Sequence, residues 1–453
     1  MMKIIKQCGA AVFILTAVFS YAKDYTFENA LNRTLAIDEN ILAVQKDVYR
    51  AAAENRAAAG LYFPKIGVQG KYTRINDPIG IDLNSIRDAI QPLYPPSVIL
   101  PDFYTQVQDD NFFKAQAVAS MPVFTGGKIR AANIAAKSSL EEAVAKLDGA
   151  RDNVLVDVST KYFRAMLAKK VVKVRREYMN STREHADNSA KMFKAGTIAK
   201  VEKMSADLSY TQARRDFNSS LNDRELASVM LQSLLSESEP VNTVSDLFVC
   251  HKEDVDTLEY FKKLAFQNHY SLRILNSKKK AADANIKAQK STFMPSVYLF
   301  GTRELHEHDL TILEPEYAYG VGFEWNIFEG FGGYNRSKAA KRQREMVDFL
   351  KEKQLKDIDT YVEHFHKKML NAVYNYEAVR EEIKFAKEFL RMRTLAYKAG
   401  TGTSLEVNMA RTQLLKAELD SLSASYDFVV SLSNLLSLTG RTQDFAKYQG
   451  KCL

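Results

Sequence analysis

The chain is poor in the residues that usually announce chemistry. Its 453 residues include seven histidines, three cysteines and one tryptophan. It holds no Gly-x-Ser-x-Gly, His-Glu-x-x-His, phosphate-loop or dinucleotide fingerprint, and no carboxylate pair beyond ordinary helix charges. An enzyme reading, with or without a cofactor, has nothing to rest on. His306-Glu307-His308-Asp309 has the composition of a metal cluster, but His-x-His in a loop is a weak ligand pattern, and no metal site is expected. His364 and His366 stand two apart on a helix, point to different faces and form no site. Nothing after residue 22 approaches 18 consecutive apolar residues, which excludes a transmembrane helix. Entry into a membrane would therefore need strands in a closed barrel. Proline is rare too: all ten fall at strand openings, strand ends, loops or a linker, and none lies inside a helical stretch, where it would break the helix. Acidic and basic residues interleave, so no nucleic-acid partner is expected despite a formal charge of +8.

What is present begins with a secretory signal peptide over residues 1–22. Lys3 and Lys6 precede an apolar run, and Ser20-Tyr21-Ala22 supplies a small-residue cleavage site. Two cysteines remain after it, Cys250 and Cys452, and an exported compartment is compatible with a disulfide between them or with two free thiols.

One stretch organises the rest. In Tyr317 to Ile327, the residues Tyr317, Tyr319, Val321, Phe323, Trp325 and Ile327 form a large apolar row. The alternate row, Ala318, Gly320, Gly322, Glu324 and Asn326, is small or polar. Side chains alternate across a strand, so this spacing predicts a strand over 317–328 with a greasy face and a hydrophilic one. Glycines including Gly332 and Gly333 then turn the chain into a very long helical stretch.

The same plan occurs earlier. Residues 24–60 read as helix and 63–74 as a strand. A proline-rich irregular loop follows over about 75–108, then a strand over 112–124 with Ala115, Ala117, Ala119, Met121 and Val123 on one face, closed by Gly126 and Gly127. Two long helices follow, joined at Phe193-Lys194-Ala195-Gly196-Thr197, where glycine suits a helix end and the threonine can cap the next helix. If continuous, the first would span on the order of 100 Å. After a linker over 241–256 the pattern restarts: helix over 258–290, strands over 294–303 and 317–328, and a tip at Tyr397-Lys398-Ala399-Gly400-Thr401. Gly196 and Gly400, or Leu231 and Leu435, are offset by 204 positions; the first strand openings, Phe63 and Met294, are offset by 231. The chain thus divides into a first repeat over 23–240, the linker, a second repeat over 257–440 and a tail over 441–453. The last helix carries a seam at coiled-coil spacing: Leu405, Asn408, Thr412, Leu415, Leu419, Leu422, Tyr426, Val429, Ser433 and Leu436. The matching positions of the first copy lose that character after Val201, Met204 and Leu208, so the copies are expected to pack against different surfaces.

These features together resemble the TolC family of outer-membrane efflux and type I secretion channels. The most specific of them are the twin Lys-Ala-Gly-Thr tips, followed by Val201-Glu202 and Leu405-Glu406-Val407. The resemblance implies a mainly α protein with transmembrane β structure: a homotrimer whose long antiparallel helices form an α-barrel across the periplasm. Each chain would give four strands to a 12-stranded β-barrel in the outer membrane of a Gram-negative bacterium. It also implies a periplasmic adaptor on the tips at 193–202 and 397–406, touching Gly196, Thr197, Gly400 and Thr401, and an inner-membrane pump beyond it. Tyr317, Tyr319, Val321, Phe323 and Trp325 would face lipid. Tyr397 and Glu202 match a lock that holds the periplasmic entrance shut, and Glu406 matches an acidic ring in the pore. The chain departs from the family pattern at Gly402, where a basic locking residue is usual, and at Met409, where a second acidic ring is usual. The rival class is a trimeric coiled-coil structural or adhesive protein with a non-conducting strand cap.

Overall fold

The structure, a computed structural model, describes residues 23–311 and 314–452. The secretory leader read over residues 1–22 lies outside the described residues. In chain order the first copy comprises β1 (Lys23–Tyr25), α1 (Phe27–Ile37), α2 (Glu39–Ala59), β2 (Lys65–Arg74), β3 (Ile79–Asp82), α3 (Asn84–Ile90), β4 (Tyr104–Gln108), β5 (Asn111–Phe124), α4 (Lys128–Lys194) and α5 (Lys200–Leu235). The linker holds β6 (Val241–Thr243). The second copy comprises α6 (Leu258–Asn268), α7 (Tyr270–Lys290), β7 (Ser296–Glu304), β8 (Tyr317–Glu324), α8 (Gly332–Lys398) and α9 (Ser404–Thr439), and the tail adds α10 (Phe445–Lys451). No helix among the described residues is long and apolar enough to cross a membrane.

The duplication is strict. Helices α4 and α8 are each 67 residues and α5 and α9 each 36, all at an offset of 204. At an offset of 231, α1 and α6 are each 11 residues and α2 and α7 each 21. Even the caps repeat, with Thr26 accepting from the Asn29 amide and Thr257 from that of Tyr260. Several expectations need correction. The helix expected over 24–60 is a short strand and two helices broken at Asp38, and that over 258–290 breaks at His269, because each position leaves helical geometry (ψ 118° and 124°). The proline-rich segment is also built: β3 pairs with β4 antiparallel, and α3 lies between them.

The described residues form two compact units, 23–45, 146–272 and 354–452 in one, 46–145, 273–311 and 314–353 in the other. The first unit is centred on an aromatic cluster. The Phe27 ring stacks on that of Phe163 at 5.0 Å, and Phe445 and Phe248 close over them. Burying each such side chain contributes about 1.5–3 kcal/mol. The Tyr162 hydroxyl donates to the Tyr25 carbonyl (2.7 Å) and accepts from the Val244 and Ser245 amides, clipping the parallel β1–β6 pair. Cys250 and Cys452 are joined in a disulfide, 202 positions apart, which settles the alternative left open by composition.

Helix α5 packs against α9, and the expected seam holds in part: Asn408, Val429, Ser433 and Leu436 are buried, whereas Leu405 and Thr412 are exposed. Also buried are Ala206, Ala213, Ser220 and Ala227 on α5 and, at the same offset, Ala410, Ala417, Ala424 and Ser431 on α9. These small side chains at seven-residue spacing let the backbones approach closely, whereas Leu405, Val201, Met204 and Leu208 lie exposed. The two copies therefore share one kind of seam.

The second unit holds an antiparallel sheet of order β2-β5-β7-β8. Directly paired residues share a face. The register Val68↔Ala117, Ala119↔Gly301, Leu299↔Val321 and Val297↔Phe323 places Ile66, Val68, Tyr72, the Ala115 to Met121 row, Leu299, Tyr317, Tyr319, Val321 and Phe323 on one side, with Arg303 and Arg74 toward its loop end. The other side carries Gln69, Lys71, Lys114, Gln116, Ser120, Thr302 and the Ala318, Gly320, Gly322 row. The apolar side is open: Tyr319 is 82% and Ile66 78% exposed. Strand β8 ends at Glu324, so Trp325, expected within it, stands just past its end, where its indole N–H donates to the Phe293 carbonyl at 3.2 Å.

Candidate functional site

The two hairpin tips are built by the same local chemistry. Gly196 and Gly400 have φ of +75° and +74°, the left-handed conformation that favours glycine. A Cβ at either would meet nothing within 4 Å, so the glycines are needed for the turn and not for space. The threonine after each faces backwards, contrary to the expectation that it would cap the next helix. Amide and hydroxyl of Thr197 both donate to the Met192 carbonyl (3.0 and 2.9 Å), and those of Thr401 both donate to that of Ala396 (3.0 and 3.1 Å). Each threonine thereby satisfies a carbonyl that the helix end leaves without a partner.

Around the second tip the side chains form a buried polar cluster. Tyr397 is buried, its hydroxyl 2.8 Å from Ser189 Oγ and its ring centroid 4.9 Å from that of His185. His185 Nε2 shares a hydrogen bond of 2.8 Å with Ser404 Oγ at the start of α9. Burial lowers the His185 pKa to about 4, and the neighbouring Arg411 guanidinium adds to the effect, so the ring is neutral at neutral pH. Arg411 is itself buried: its Nε donates to Ser181 Oγ at 3.0 Å, one terminal nitrogen has no partner, and burial lowers its pKa. A cavity of about 1170 Å³ opens among Glu184, His185, Lys191, Glu202, Tyr397 and Arg411.

The two acids expected at the gate are placed differently. Glu202 Oε2 accepts from the Ser404 amide at 2.7 Å, so a residue of the first copy caps a helix of the second. Within the chain Tyr397 bonds Ser189 and not Glu202. Glu406 forms a capping box with Thr403 and pairs with Arg393 at 3.2 Å. Asn408 reaches Ser205 on α5 at 3.4 Å. Met409 is exposed, and a Cβ at Gly402 would approach Glu406 Oε2 to 3.2 Å. Sequence reasoning missed Ser189, His185, Arg411 and Ser404. Their only signal is polarity at positions that turn out buried.

In the second unit, strand-to-helix corners were expected at Gly126, Gly127, Gly332 and Gly333. Gly126 and Gly127 do turn the chain, with φ of +62° and +89°. A Cβ on Gly126 would lie 2.7 Å from Met294 Cβ and 2.8 Å from the Ser291 carbonyl, so that position needs glycine for space as well. In the second copy the turn is made by Gly330 and Phe331, with φ of +57° and +64°, which are the residues 204 positions on. Gly332 and Gly333 already belong to α8. On the polar face of the sheet, Phe300 and Tyr298 lie over Gly320 and Gly322: a Cβ there would stand 3.1 and 2.5 Å from their rings. In the loop, the Asp309 carboxylate accepts from the Phe113 amide at 2.7 Å and lies 3.6 Å from His306.

The model of a family described as "outer membrane efflux protein" matches residues 30–237 and 263–441. No curated protein matches the chain in sequence. Among solved structures, the chain is similar to the outer membrane protein VceC of Vibrio cholerae, at 14% identity and a TM-score of 0.73 over 91% of this chain and 96% of that one. It is similar to CusC, which forms a transmembrane channel, at 14% identity and a TM-score of 0.76 over 93% and 95%. It is likewise similar to the Campylobacter jejuni CmeC outer membrane channel, at 16% identity and a TM-score of 0.72 over 93% and 88%.

Proposed function

The chain belongs to the outer membrane efflux protein family, and from that premise we propose that three copies join their sheets into one 12-stranded barrel that serves as a passive exit duct. The observation that carries this reading is the sheet itself. One face is apolar apart from Arg303 and Arg74 toward the loop end and is exposed, the other is largely polar, and the outer edges of β2 and β8 have no strand partner among the described residues. Open edges and an exposed apolar face are costly in isolation, and closure by further copies within lipid satisfies both. Tyr317, Tyr319, Val321 and Phe323 then face lipid, with Trp325 at the rim, and the glycine row with Tyr298 and Phe300 lines the exit.

The duct is shut at its periplasmic end by the tips at 193–202 and 397–406. Tyr397 and Glu202 hold α9 in the shut arrangement, and Glu406, repeated by three-fold symmetry, forms an acidic ring that favours cations. Opening then separates Glu406 from Arg393 and Tyr397 from Ser189. The Gly196-Thr197 and Gly400-Thr401 turns meet the hairpins of a periplasmic adaptor, which couples the duct to an inner-membrane pump of a tripartite efflux or type I secretion system. Exposed Val201, Met204, Leu208, Leu405 and Met409 near the tips support burial by other chains there. No catalysis is involved.

Cysteine labelling in reconstituted vesicles tests the face assignment. A membrane-impermeant thiol reagent is expected to modify Thr302→Cys and Ala318→Cys and to spare Tyr319→Cys and Val321→Cys. Equal or inverted labelling would overturn the reading.

A further inference from the structure

Charge in the second unit is segregated in a way that the overall +8 conceals. Four helical segments run up to or away from the sheet: 55–62, 128–140, 284–293 and 332–344. They carry one, three, two and five lysines or arginines respectively, and no aspartate or glutamate. Lys128, Arg130, Lys287, Lys290, Lys338 and Lys341 are exposed and have no carboxylate partner among the described residues. The loops at the other end of the sheet have the opposite sign. Segment 75–110 carries six aspartates against one arginine, and segment 304–316 carries five acids and no lysine or arginine.

Between the apolar face and these cations lies an aromatic rim. Each of the four junctions between strand and helix exposes an aromatic ring: Phe63 before β2, Phe124 after β5, Phe293 before β7, and Phe328 with Phe331 after β8. Apolar face, aromatic rim and cationic segment follow one another along all four chain segments; Glu329, between Phe328 and Phe331 in the rim, pairs with Arg336 at 3.1 Å. Aromatic rings favour the level of the headgroups, and basic side chains just beyond it are attracted to anionic lipid by about 1 kcal/mol each, a factor of roughly five.

Resting on the duct reading above, we propose that this belt is a lipid-phosphate surface: Lys287, Lys290, Lys338, Lys341 and their neighbours bind the headgroups of anionic phospholipid in the periplasmic leaflet. An anionic polymer would be recognised by the same charges, but it would not require the aromatic rim or its continuity with the apolar face. The layering selects lipid. Because a lysine stem can lie along apolar surface while its ammonium reaches outward, residues one or two turns from the rim can still reach the phosphates.

The chain's single tryptophan, Trp325, stands at this rim and serves as the reporter. The full-length protein is reconstituted with phospholipids brominated on their acyl chains, and quenching of Trp325 gives relative lipid affinity. Brominated phosphatidylglycerol is expected to be preferred over brominated phosphatidylcholine at least roughly fivefold at low salt. In the wild type the preference is expected to decay as salt rises from about 0.1 to about 1 M, where the screening length falls from ~10 to ~3 Å. The combined Lys287→Gln, Lys290→Gln, Lys338→Gln, Lys341→Gln variant is expected to bring the ratio near unity. A wild-type ratio near unity, or one that salt and the four substitutions leave unchanged, would overturn the proposal. So would sedimentation with purified peptidoglycan sacculi through the same lysines without any lipid preference. Conductance measured on the same preparation reports on the duct reading separately.

Discussion

The two hairpin tips are copies of one another in backbone and opposites in what they bury. Both turn on a left-handed glycine, and both close with a threonine bonded twice to the preceding helix. Yet Phe193 is 39% exposed, while its counterpart Tyr397 is 4% exposed. The cause lies in a few divergent positions. Thr403 caps α9 and engages Glu406, whereas the equivalent Ala199 has no side chain to cap α5. Glu202 is thereby left without a capping box of its own and reaches across to the Ser404 amide. Ser189 offers Tyr397 a partner where the second copy has Arg393, and His185 meets the Tyr397 ring edge-on where the second copy has Phe389. Duplication supplies the turn, and divergence buries a polar cluster at one tip only.

The largest expected effect concerns the bond that joins the two copies where each ends. Cys452→Ser removes the Cys250–Cys452 disulfide and is expected to cost about 2–5 kcal/mol of stability, read by thermal or denaturant unfolding with and without reductant. Wild type and variant should coincide once reduced.

The next effect is acid sensitivity. His185 is neutral in the folded tip with a pKa of about 4, against 6.5 when unperturbed. The unfolded state therefore binds the proton first as pH falls. The tip's stability is full above about pH 6.5, declines between about 6.5 and 4, and changes no further below, by as much as about 3 kcal/mol in total. His185→Phe, which makes the first copy resemble the second at this position, is expected to flatten the pH profile of stability over that window. His269, lowered to about 4 by burial as well, leaves a residual slope in the variant.

A smaller effect is expected for Tyr397→Phe, which removes the partner of a buried Ser189 hydroxyl at a cost of about 1–3 kcal/mol and should raise the open fraction in single-channel records. The reciprocal Phe193→Tyr, on an exposed site, should leave both stability and gating unchanged.

The smallest effect sharpens the comparison most finely. Thr403→Ala gives the second tip the uncapped start of the first and should cost about 1 kcal/mol. Ala199→Thr should draw Glu202 back to its own helix and loosen the Ser404 contact. Hydrogen exchange at the Ser404 amide would then accelerate in Ala199→Thr, and an unchanged rate would contradict the crossed cap.

Much of this fold was legible because it rests on strong local signals. Glycine and proline placement, strand alternation and a repeat with a fixed offset located the helices and strands to within a few residues. The parts that were not legible are those where burial is carried by small or polar side chains. The α5–α9 contact through alanines and serines has the composition of a surface, so large apolar residues point to the stripe through Leu405, which is buried only at Asn408 and from Val429 onward. Ser189, His185 and Arg411 look like ordinary helix polarity until the second copy is folded against them. The corner is legible as the stretch Gly330 to Gly333, and the offset of 204 narrows it to Gly330 and Phe331, although Gly332-Gly333 is the more obvious pair. The basic belt escaped because its four segments are far apart in sequence and each is modest alone.

The proposed function makes the chain a duct that is latched at one of its two tips. Single-channel recording of the purified protein in planar bilayers tests it most directly. The expected result is discrete conductance steps, with a higher open fraction in Tyr397→Phe and weaker block by divalent cations in Glu406→Ala. An assembly that inserts but never conducts, even with Glu406→Ala, would contradict the account and favour a non-conducting strand cap.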